Sequence, residues 1–170
     1  APLRAVEHAI DLVHLVRDIV GDGSSIAVAA HPEGHPASAS VAQDRRHLAA
    51  KLEAADYAVT QFFFSAEDYL RLVEDLAALD CHRPVLPGIM PVTNLAQIER
   101  FAALSGATFP ALLAERLRAV GDNPAAVRAV GVEAATELCA ELMDAGAPGL
   151  HFYTLNRSTA TREVAANLGL

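Results

Sequence analysis

The amino-acid sequence predicts an α/β fold built on a parallel β-sheet. Four short, mainly apolar stretches alternate with amphipathic helical stretches along the 170 residues, and this alternation is typical of βαβ units. The stretch 57–64 shows the strand pattern most clearly, because it is rich in aromatic and β-branched residues and too short for a buried helix. We expect this strand to be buried on both faces of the sheet.

Seven stretches carry the spacing of apolar residues that is typical of helices. Glycines end the first of them, Ser38 or Ser40 caps the second, and Ser65 caps the third, with Asp68 at the capping-box position. Prolines open the fifth and sixth, and Asn156 or Ser158 begins the last. The predicted helices span residues 5–20, from Ser38 or Ser40 to about 54, 66–79, 95–104, 110–120, 124–145, and from Asn156 or Ser158 to about 168.

Four strands are predicted between these helices, at residues 25–30, 57–64, 84–89 and 150–154. No glycine fingerprint of the dinucleotide-binding type follows any strand, which argues against a Rossmann domain. Four strand–helix units amount to half of an eight-stranded barrel of the TIM type, and half a barrel has two open edges and an uncovered inner face. Residues 1–170 are therefore predicted to form a single, partial βα-barrel domain.

The composition narrows the classes of partner. Apolar residues make up 52% of the chain and the mean hydropathy is +0.25, which suggests a face that a second subunit or a missing segment covers. The formal net charge is -8, and no cluster of lysine and arginine interrupts it. Nucleic acid and anionic membranes are therefore poor partners.

Two cysteines, Cys81 and Cys139, lie far apart without metal-type spacing. They are interpreted as reduced thiols of a cytoplasmic protein. We find no signal peptide and no apolar run of membrane-spanning length. The sequence begins at Ala1 without a methionine, which indicates either processing or a cut.

Polar residues cluster near the carboxyl ends of the predicted strands, which meet at one rim of a parallel sheet. Amides, imidazoles and one guanidinium gathered there suit an organic ligand with several hydrogen-bonding edges. The residues concerned are His31, Glu33, His35, Thr60, Gln61, Thr93, Asn94, Gln97, Asn156 and Arg157.

Gln61 lies inside the second strand, where an amide is unusual. Burying an amide without replacing its hydrogen bonds costs roughly 1–3 kcal/mol. A polar ligand at the carboxyl end of the strand would replace those bonds. The alternative is that the Gln61 side chain bonds neighbouring backbone.

Four motifs, taken together, resemble the methylenetetrahydrofolate reductase family. They occur in order and at fitting spacing between about Val6 and the C-terminus. They read His-Pro-Glu-Gly-His-Pro, Thr-Gln-Phe-Phe-Phe, Leu-Pro-Gly-Ile-Met-Pro-Val-Thr-Asn and Leu-His-Phe-Tyr-Thr-Leu-Asn-Arg. Any one of them alone would be a weak indication, whereas the combination is specific.

The resemblance implies a flavin-containing βα barrel in which NAD(P)H reduces FAD, and the reduced flavin converts 5,10-methylenetetrahydrofolate to 5-methyltetrahydrofolate for methionine synthesis. Matched by position, Gln61 and Gln97 look like residues that hold the folate pterin. Phe101 matches an aromatic residue that stacks on the folate or the nicotinamide. Arg157 matches a substrate contact, and its planar fork suits a carboxylate.

The same resemblance implies the FAD site. Asp44, His47 and Lys51 are spaced to share one helix face, which suits contacts to the ribityl, phosphate and adenosine parts of the cofactor. The positions that match flavin-binding residues are Ala9, His31, His35, Asp44, His47 and Lys51.

Each assignment has a structural alternative. A charged line on a helix is usually a solvated face, and Phe101, spaced helically with Ile98 and Leu104, is more often a core residue. His31, Glu33 and His35 could suggest a metal site. The prolines and Gly34 of that loop exclude the helix that a His-Glu-x-x-His zinc site needs, and no third ligand is at hand.

The sequence departs from the family pattern at three places. The turn at residues 53–56 is one residue shorter and lacks a glycine, so Ala55 puts FAD affinity in question. His31 occupies a position that is more often tyrosine. No residue matches the glutamate that is the family's catalytic acid, so we expect the chain to be the C-terminal half of the barrel, inactive alone.

Other interpretations stand beside the reductase half-barrel. The chain could be a non-catalytic folate- or flavin-binding module, or a half-barrel whose open edges pair between copies. A further alternative is a different barrel enzyme that uses the histidine loop for a metal. Because half a barrel leaves its inner face uncovered, we expect this face to be buried in a homo-oligomer or against the missing half-barrel. The residues do not distinguish NADH from NADPH.

Overall fold

The structure is a computed structural model that describes residues 6–170, with only the backbone described at Asp22. One parallel sheet has the strand order β1-β2-β3-β4, and helices connect successive strands. The strands are β1 (Ala27–Ala30), β2 (Tyr57–Phe62), β3 (Val85–Ile89) and β4 (His151–Phe152). The predicted α/β fold with a parallel sheet is confirmed.

Seven α-helices accompany this sheet within the described residues, and a short 3-10 turn (Gly21–Gly23) precedes β1. Three of the helices, α4 to α6, lie between β3 and β4. The helices are α1 (Ala9–Val20), α2 (Val41–Ala54), α3 (Ala66–Ala78), α4 (Leu95–Ser105), α5 (Ala111–Ala119), α6 (Pro124–Asp144) and α7 (Thr159–Asn167). Ala5, the predicted start of the first helix, lies outside the described residues, and Val6 precedes α1.

One face of the sheet is covered by helices. Residues that pair across the strands on this face form a buried core with α1, α2, α3, α6 and α7. Burial of their apolar surface is the main stabilising contribution to such a sandwich. The covered face consists of Val28, Ala30, Ala58, Val85 and Ile89.

The opposite face, called the open face below, is not covered by described residues. It consists of Ala27, Ala29, Tyr57, Val59 and Leu86, all exposed or half-buried. The prediction that β2 is buried on both faces is therefore wrong, because burial alternates along this strand. The apolar residues on the open face lack a covering layer in this part of the chain.

The strand β2 ends earlier than predicted. A register irregularity between Val59 and Phe62 interrupts its pairing with β3, and Phe63 and Phe64 leave the sheet. Phe63 packs into the core beneath the covered face, whereas Phe64 contacts Phe109 edge to face at 4.9 Å between ring centroids. Their hydrophobicity therefore serves two different clusters rather than a longer strand.

The helix caps agree in part with the predicted capping residues. The Ser40 hydroxyl accepts a hydrogen bond from the Gln43 backbone N–H, which selects Ser40 over Ser38 as the cap of α2. Ser65 precedes α3, but its side chain makes no capping bond, so the predicted capping box with Asp68 is wrong. The last helix is preceded by Ser158 rather than Asn156.

The long helix α6 approaches the loop after β3 very closely at Gly131. A Cβ atom on this glycine would lie 1.8 Å from the backbone oxygen of Val92. Only a glycine permits this contact. The contact brings the first turns of α6, including Arg128, to the carboxyl ends of β3 and β4.

Candidate functional site

A cavity of about 550 Å³ opens at the carboxyl ends of β3 and β4. Its walls come from the loop after β3, helix α4, the start of α6 and the loop after β4. Polar and apolar side chains alternate around it. The lining includes Met90, Asn94, Gln97, Phe101, Arg128, Tyr153 and Arg157.

Helix α4 places two predicted substrate-binding residues in this cavity. The Asn94 side chain accepts a hydrogen bond from the backbone N–H of Gln97 at 2.8 Å and so caps the helix. Gln97 is exposed, and one turn further Phe101 is half-buried. Phe101 lines the cavity and also packs against the apolar cluster around Ile98, so both interpretations of this ring find support.

Arg157 reaches the cavity from a tight turn after β4. The Arg157 backbone N–H donates to the Thr154 carbonyl at 2.8 Å, and the two central residues, Leu155 and Asn156, have φ values of 47° and 61°. Positive φ is strained for a residue such as leucine. Strain of this kind clusters at binding sites, which is consistent with a functional role for the turn.

Gln61 is half-buried in β2 and does not line the cavity. Its side chain has no hydrogen-bond partner within residues 6–170, so the alternative that it bonds neighbouring backbone is not supported. The amides and guanidinium of Gln61, Gln97 and Arg157 are all free to meet a ligand. The structure brings Gln97 and Arg157 into one cavity and leaves Gln61 on the neighbouring strand.

Tyr153 connects β4 to β2 across the intervening strand. Its hydroxyl donates to the Thr60 carbonyl at 2.8 Å, a carbonyl at the register irregularity of β2. The ring crosses Gly88 of β3, where a Cβ atom would lie 2.6 Å from Tyr153 Cε2 and 2.2 Å from the Thr60 oxygen. The Thr60 hydroxyl accepts from the Gly88 N–H at 2.8 Å. Gly88 is therefore the position that permits this bridge.

A second polar group lies at the carboxyl end of β1. The imidazoles of His31 and His35 meet edge to face at 4.6 Å between centroids. Burial, and next the neighbouring His35, lower the pKa of His31. The Lys51 ammonium of α2 donates to the Ala29 carbonyl at 2.9 Å, and burial lowers the pKa of Lys51 although Asp44 opposes the shift.

The remaining predicted flavin-binding residues differ in exposure. Asp44 is buried, accepts a hydrogen bond from the Ser38 hydroxyl at 3.3 Å and pairs with Arg45, so this part of the helix is not a solvated face. His47 is exposed on α2. Ala9 is the exposed first residue of α1.

The shortened turn at residues 53–56 is well packed. Ala55 is buried and follows α2 directly, while the Asp56 carboxylate accepts from the Ile26 N–H at 2.6 Å and pairs with Arg17 at 2.7 Å. These two interactions lower the pKa of Asp56. The turn therefore runs from α2 into β2 without a glycine.

No group of three or more His, Cys, Asp or Glu side chains suited to a metal ion occurs in residues 6–170. Among the described helices, none combines the length and the apolar character needed to cross a membrane. Cys81 and Cys139 are both free thiols.

Tyr153 and Arg128 are among the cavity residues that the sequence analysis did not single out. Tyr153 lies within the fourth motif, but nothing in its neighbours indicates that its hydroxyl reaches β2. Arg128 pairs with Glu163 of α7 at 3.4 Å, and only the close approach at Gly131 brings it to the cavity. Both depend on contacts distant in sequence, for which there is no local pattern.

Comparison with known proteins assigns the family. The family described as "Methylenetetrahydrofolate reductase" matches residues 2–169. The chain is 37% identical over 164 residues to "Probable methylenetetrahydrofolate reductase (NADPH)" of Caenorhabditis elegans, covering 95% of this chain and 25% of that protein. It is 34% identical to "5,10-methylenetetrahydrofolate reductase" of Escherichia coli K12, covering 96% of this chain and 55% of that protein.

A solved structure shares the fold. It is described as an uncharacterized protein from Clostridium thermocellum that binds two copies of 5-methyl-5,6,7,8-tetrahydrofolic acid, and it superimposes with a TM-score of 0.65 at 17% identity, over 92% of this chain and 56% of that one. The chain thus spans about half, or less, of the lengths of these relatives. By its match over residues 2–169, the chain belongs to the methylenetetrahydrofolate reductase family.

Proposed function

We propose that this chain is the C-terminal half of a methylenetetrahydrofolate reductase barrel. With the complementary half, it would reduce 5,10-methylenetetrahydrofolate to 5-methyltetrahydrofolate with NAD(P)H and a flavin. The observation that carries the proposal is the cavity that joins Gln97, Phe101 and Arg157. An amide with donor and acceptor edges, an aromatic ring and a guanidinium match a pterin, an aryl group and a carboxylate.

The FAD part of the proposal concerns the rim at β1. His31 and His35 offer aromatic surface, and Lys51 offers a cation at the same strand end, so this set of side chains fits a ligand with a planar ring and phosphate groups. Bound there, FAD would accept a hydride from NAD(P)H and donate it to the folate. His31 and His35 would orient the cofactor, and Lys51 and the exposed His47 would meet its polar parts, with Ala9 as a further contact.

The chain supplies no candidate for the proton donor at N10 of the folate. Glu33, the acidic residue of the His31–Pro36 loop, is bound by the Thr108 backbone N–H and hydroxyl and is therefore held in a structural contact. We therefore expect the isolated chain to show no family-like turnover, which a steady-state assay with NAD(P)H and 5,10-methylenetetrahydrofolate would check.

The partner in the proposal is a second barrel half or a second copy of the chain. On the open face, Ala27 and Ala29 are exposed, and Tyr57, Val59 and Leu86 are half-buried. Exposed apolar surface of this kind favours association with another protein surface. Size-exclusion chromatography with light scattering would separate the cases, since a monomer would contradict pairing between copies. A cytoplasmic location stays a prediction.

Arg157 provides the test of the folate site. We expect Arg157→Met to weaken binding of 5-methyltetrahydrofolate about tenfold, or ~1.4 kcal/mol, because a charge-assisted contact to the carboxylate is lost. Isothermal titration calorimetry on the full chain measures this loss. Arg162→Met on α7 is the matched control, because Arg162 is exposed and does not line the cavity. Equal affinities for the two variants, or no binding to the parent chain, would contradict the proposal.

A further inference from the structure

The most highly connected buried charge in the described chain lies beneath the His31–Pro36 loop. Arg45 of α2 is 2% exposed, which is rare for an arginine. Its guanidinium donates from Nη1 to the His31 carbonyl at 2.8 Å and from Nη2 to the Pro32 carbonyl at 2.5 Å. No motif or family match singled out this residue.

Two carboxylates balance the charge of Arg45. Asp75 of α3 accepts from Nε at 3.1 Å, and Asp44 accepts from Nη1 at 3.3 Å. A buried arginine is tolerated only when its donors are satisfied in this way. The guanidinium therefore has one preferred orientation, set by α2 and α3, and two of its donors are directed at the loop.

The same network holds the far end of the loop. Asp44, which pairs with Arg45, accepts a hydrogen bond from the Ser38 hydroxyl, two residues after Pro36. The start of the loop is thus fixed by Arg45 at His31 and Pro32, and its end by Asp44 at Ser38. Between these two anchors lies His35, whose ring meets the ring of His31.

We propose that Arg45 is a positioning residue for ligand binding at this rim: by fixing the backbone carbonyls of His31 and Pro32, it holds the two imidazoles in the edge-to-face arrangement that a planar aromatic ligand meets. The inference deepens the proposed function, because the ligand it names is the flavin ring. The positioning itself is a property of the ligand-free chain.

The charges around His31 agree with this role. The groups that face its imidazole are His35 in the same loop and Asp44, Arg45 and Lys51 on α2; burial is the main cause of the lowered pKa of His31, and the positive charge of Arg45 acts in the same direction. The ring is therefore favoured in its uncharged form, in which it packs against an aromatic ligand with the smaller desolvation penalty.

The test is the contact between the two imidazoles, observed by NMR as a nuclear Overhauser effect between their ring protons in the ligand-free full chain. We expect Arg45→Lys to abolish it, because an ammonium lacks the fork that reaches two carbonyls. Asp75→Asn is the matched control: it removes the negative charge but keeps an amide oxygen that accepts from Nε, so the orientation of Arg45, both carbonyl bonds and the effect should persist. Should Arg45→Lys fail to fold, the charge-balanced double variant Arg45→Gln with Asp75→Asn takes its place.

FAD titration of the same variants supplies the functional readout. We expect Arg45→Lys to weaken FAD binding about tenfold, or ~1.4 kcal/mol, and the exposed variant Arg71→Met to leave it unchanged. Persistence of the imidazole contact in Arg45→Lys, or its equal loss in Asp75→Asn, would overturn the positioning role. Absence of FAD binding to the parent chain would instead contradict the flavin part of the proposed function, while the NMR result still decides the positioning.

Discussion

The two sides of the rim differ in how their polar side chains are used. At β1 and α2, Lys51, Asp44 and Arg45 are bonded to backbone carbonyls or to one another. At β3 and β4, the side chains of Gln97 and Arg157 have no hydrogen-bond partner within residues 6–170. The network at β1 and α2 is thus bonded within the protein, whereas the exposed ends of Gln97 and Arg157 are available to a ligand.

This contrast separates two ways of preparing a binding surface. A bonded network fixes the shape and charge of a surface before the ligand arrives, which lowers the entropy lost on binding. Free amides and guanidinium groups supply the hydrogen bonds that give specificity. We therefore expect changes in the bonded network on the β1 side to alter stability together with affinity, and changes at the unbonded side chains of Gln97 and Arg157 to alter affinity alone.

The largest loss of stability is expected at Gly88, which lies between the Thr60 carbonyl of β2 and the Tyr153 ring. Gly88→Ala places a Cβ atom 2.2 Å from the Thr60 carbonyl oxygen and 2.6 Å from the Tyr153 ring. We expect a loss of about 3 kcal/mol in the free energy of unfolding, because a backbone oxygen and a packed ring must both move. Denaturant-induced unfolding, followed by circular dichroism, measures this loss.

Gly23→Ala is the matched control for this substitution. No atom lies within 4 Å of the position that its Cβ would take, and its φ is not in the left-handed region. We expect a change of less than about 0.5 kcal/mol. Similar stabilities for the two variants would show that the Tyr153 bridge does not depend on Gly88.

A smaller effect is expected from the tyrosine hydroxyls. Tyr153→Phe removes the bond to the Thr60 carbonyl, and Tyr69→Phe removes a bond of equal length, 2.8 Å, to the Val85 carbonyl. Each should cost about 1 kcal/mol of unfolding free energy. Only Tyr153→Phe should also weaken binding of 5-methyltetrahydrofolate, because Tyr153 lines the cavity and Tyr69 does not. Equal affinities in the two variants would place Tyr153 outside the binding surface.

The smallest expected effect is on the pH dependence of the free energy of unfolding. The pKa of His31 is lowered from 6.5 in the folded chain, first by burial and then by His35, so the unfolded chain binds more protons as the pH falls below that value. The contribution of His31 to stability is therefore present above about pH 6.5 and lost as the pH falls through the folded pKa. We expect His31→Gln to flatten the fall of stability as the pH decreases below 6.5, measured by unfolding at several pH values.

The order and type of the elements were predictable because they depend on local patterns. Alternating apolar stretches and helical spacing predicted four parallel strands, Pro124 marked the start of α6, and one of the two serines proposed for α2, Ser40, caps it. Asn94, Gln97 and Arg157, which line the cavity, were predictable as polar residues that follow strands, whereas Phe101 was expected only from the family resemblance. The types of the elements follow from the different side-chain periods of helices and strands. The strand-end positions follow because parallel strands place their carboxyl ends at the same edge.

Features that depend on contacts distant in sequence were not predictable. The irregularity in β2 arises from how Thr60 meets Gly88 and Tyr153, and the two-residue β4 ends because a tight turn follows it directly. The open face could be expected from a half-barrel, yet the apolar run at 57–64 argued for burial on both sides of the strand. Hydrophobicity alone does not say whether the covering layer belongs to the same stretch of chain.

The left-handed pair Leu155 and Asn156 has a consequence for recognition. Holding Leu155 at a φ of 47° costs on the order of 1 kcal/mol. This cost belongs to the free energy of folding and is not added to the free energy of binding. The backbone turn that carries the Arg157 guanidinium is thus already formed before an anionic group binds. We therefore expect contact with a carboxylate to require rotation of the Arg157 side chain, with the turn at residues 154–157 already formed.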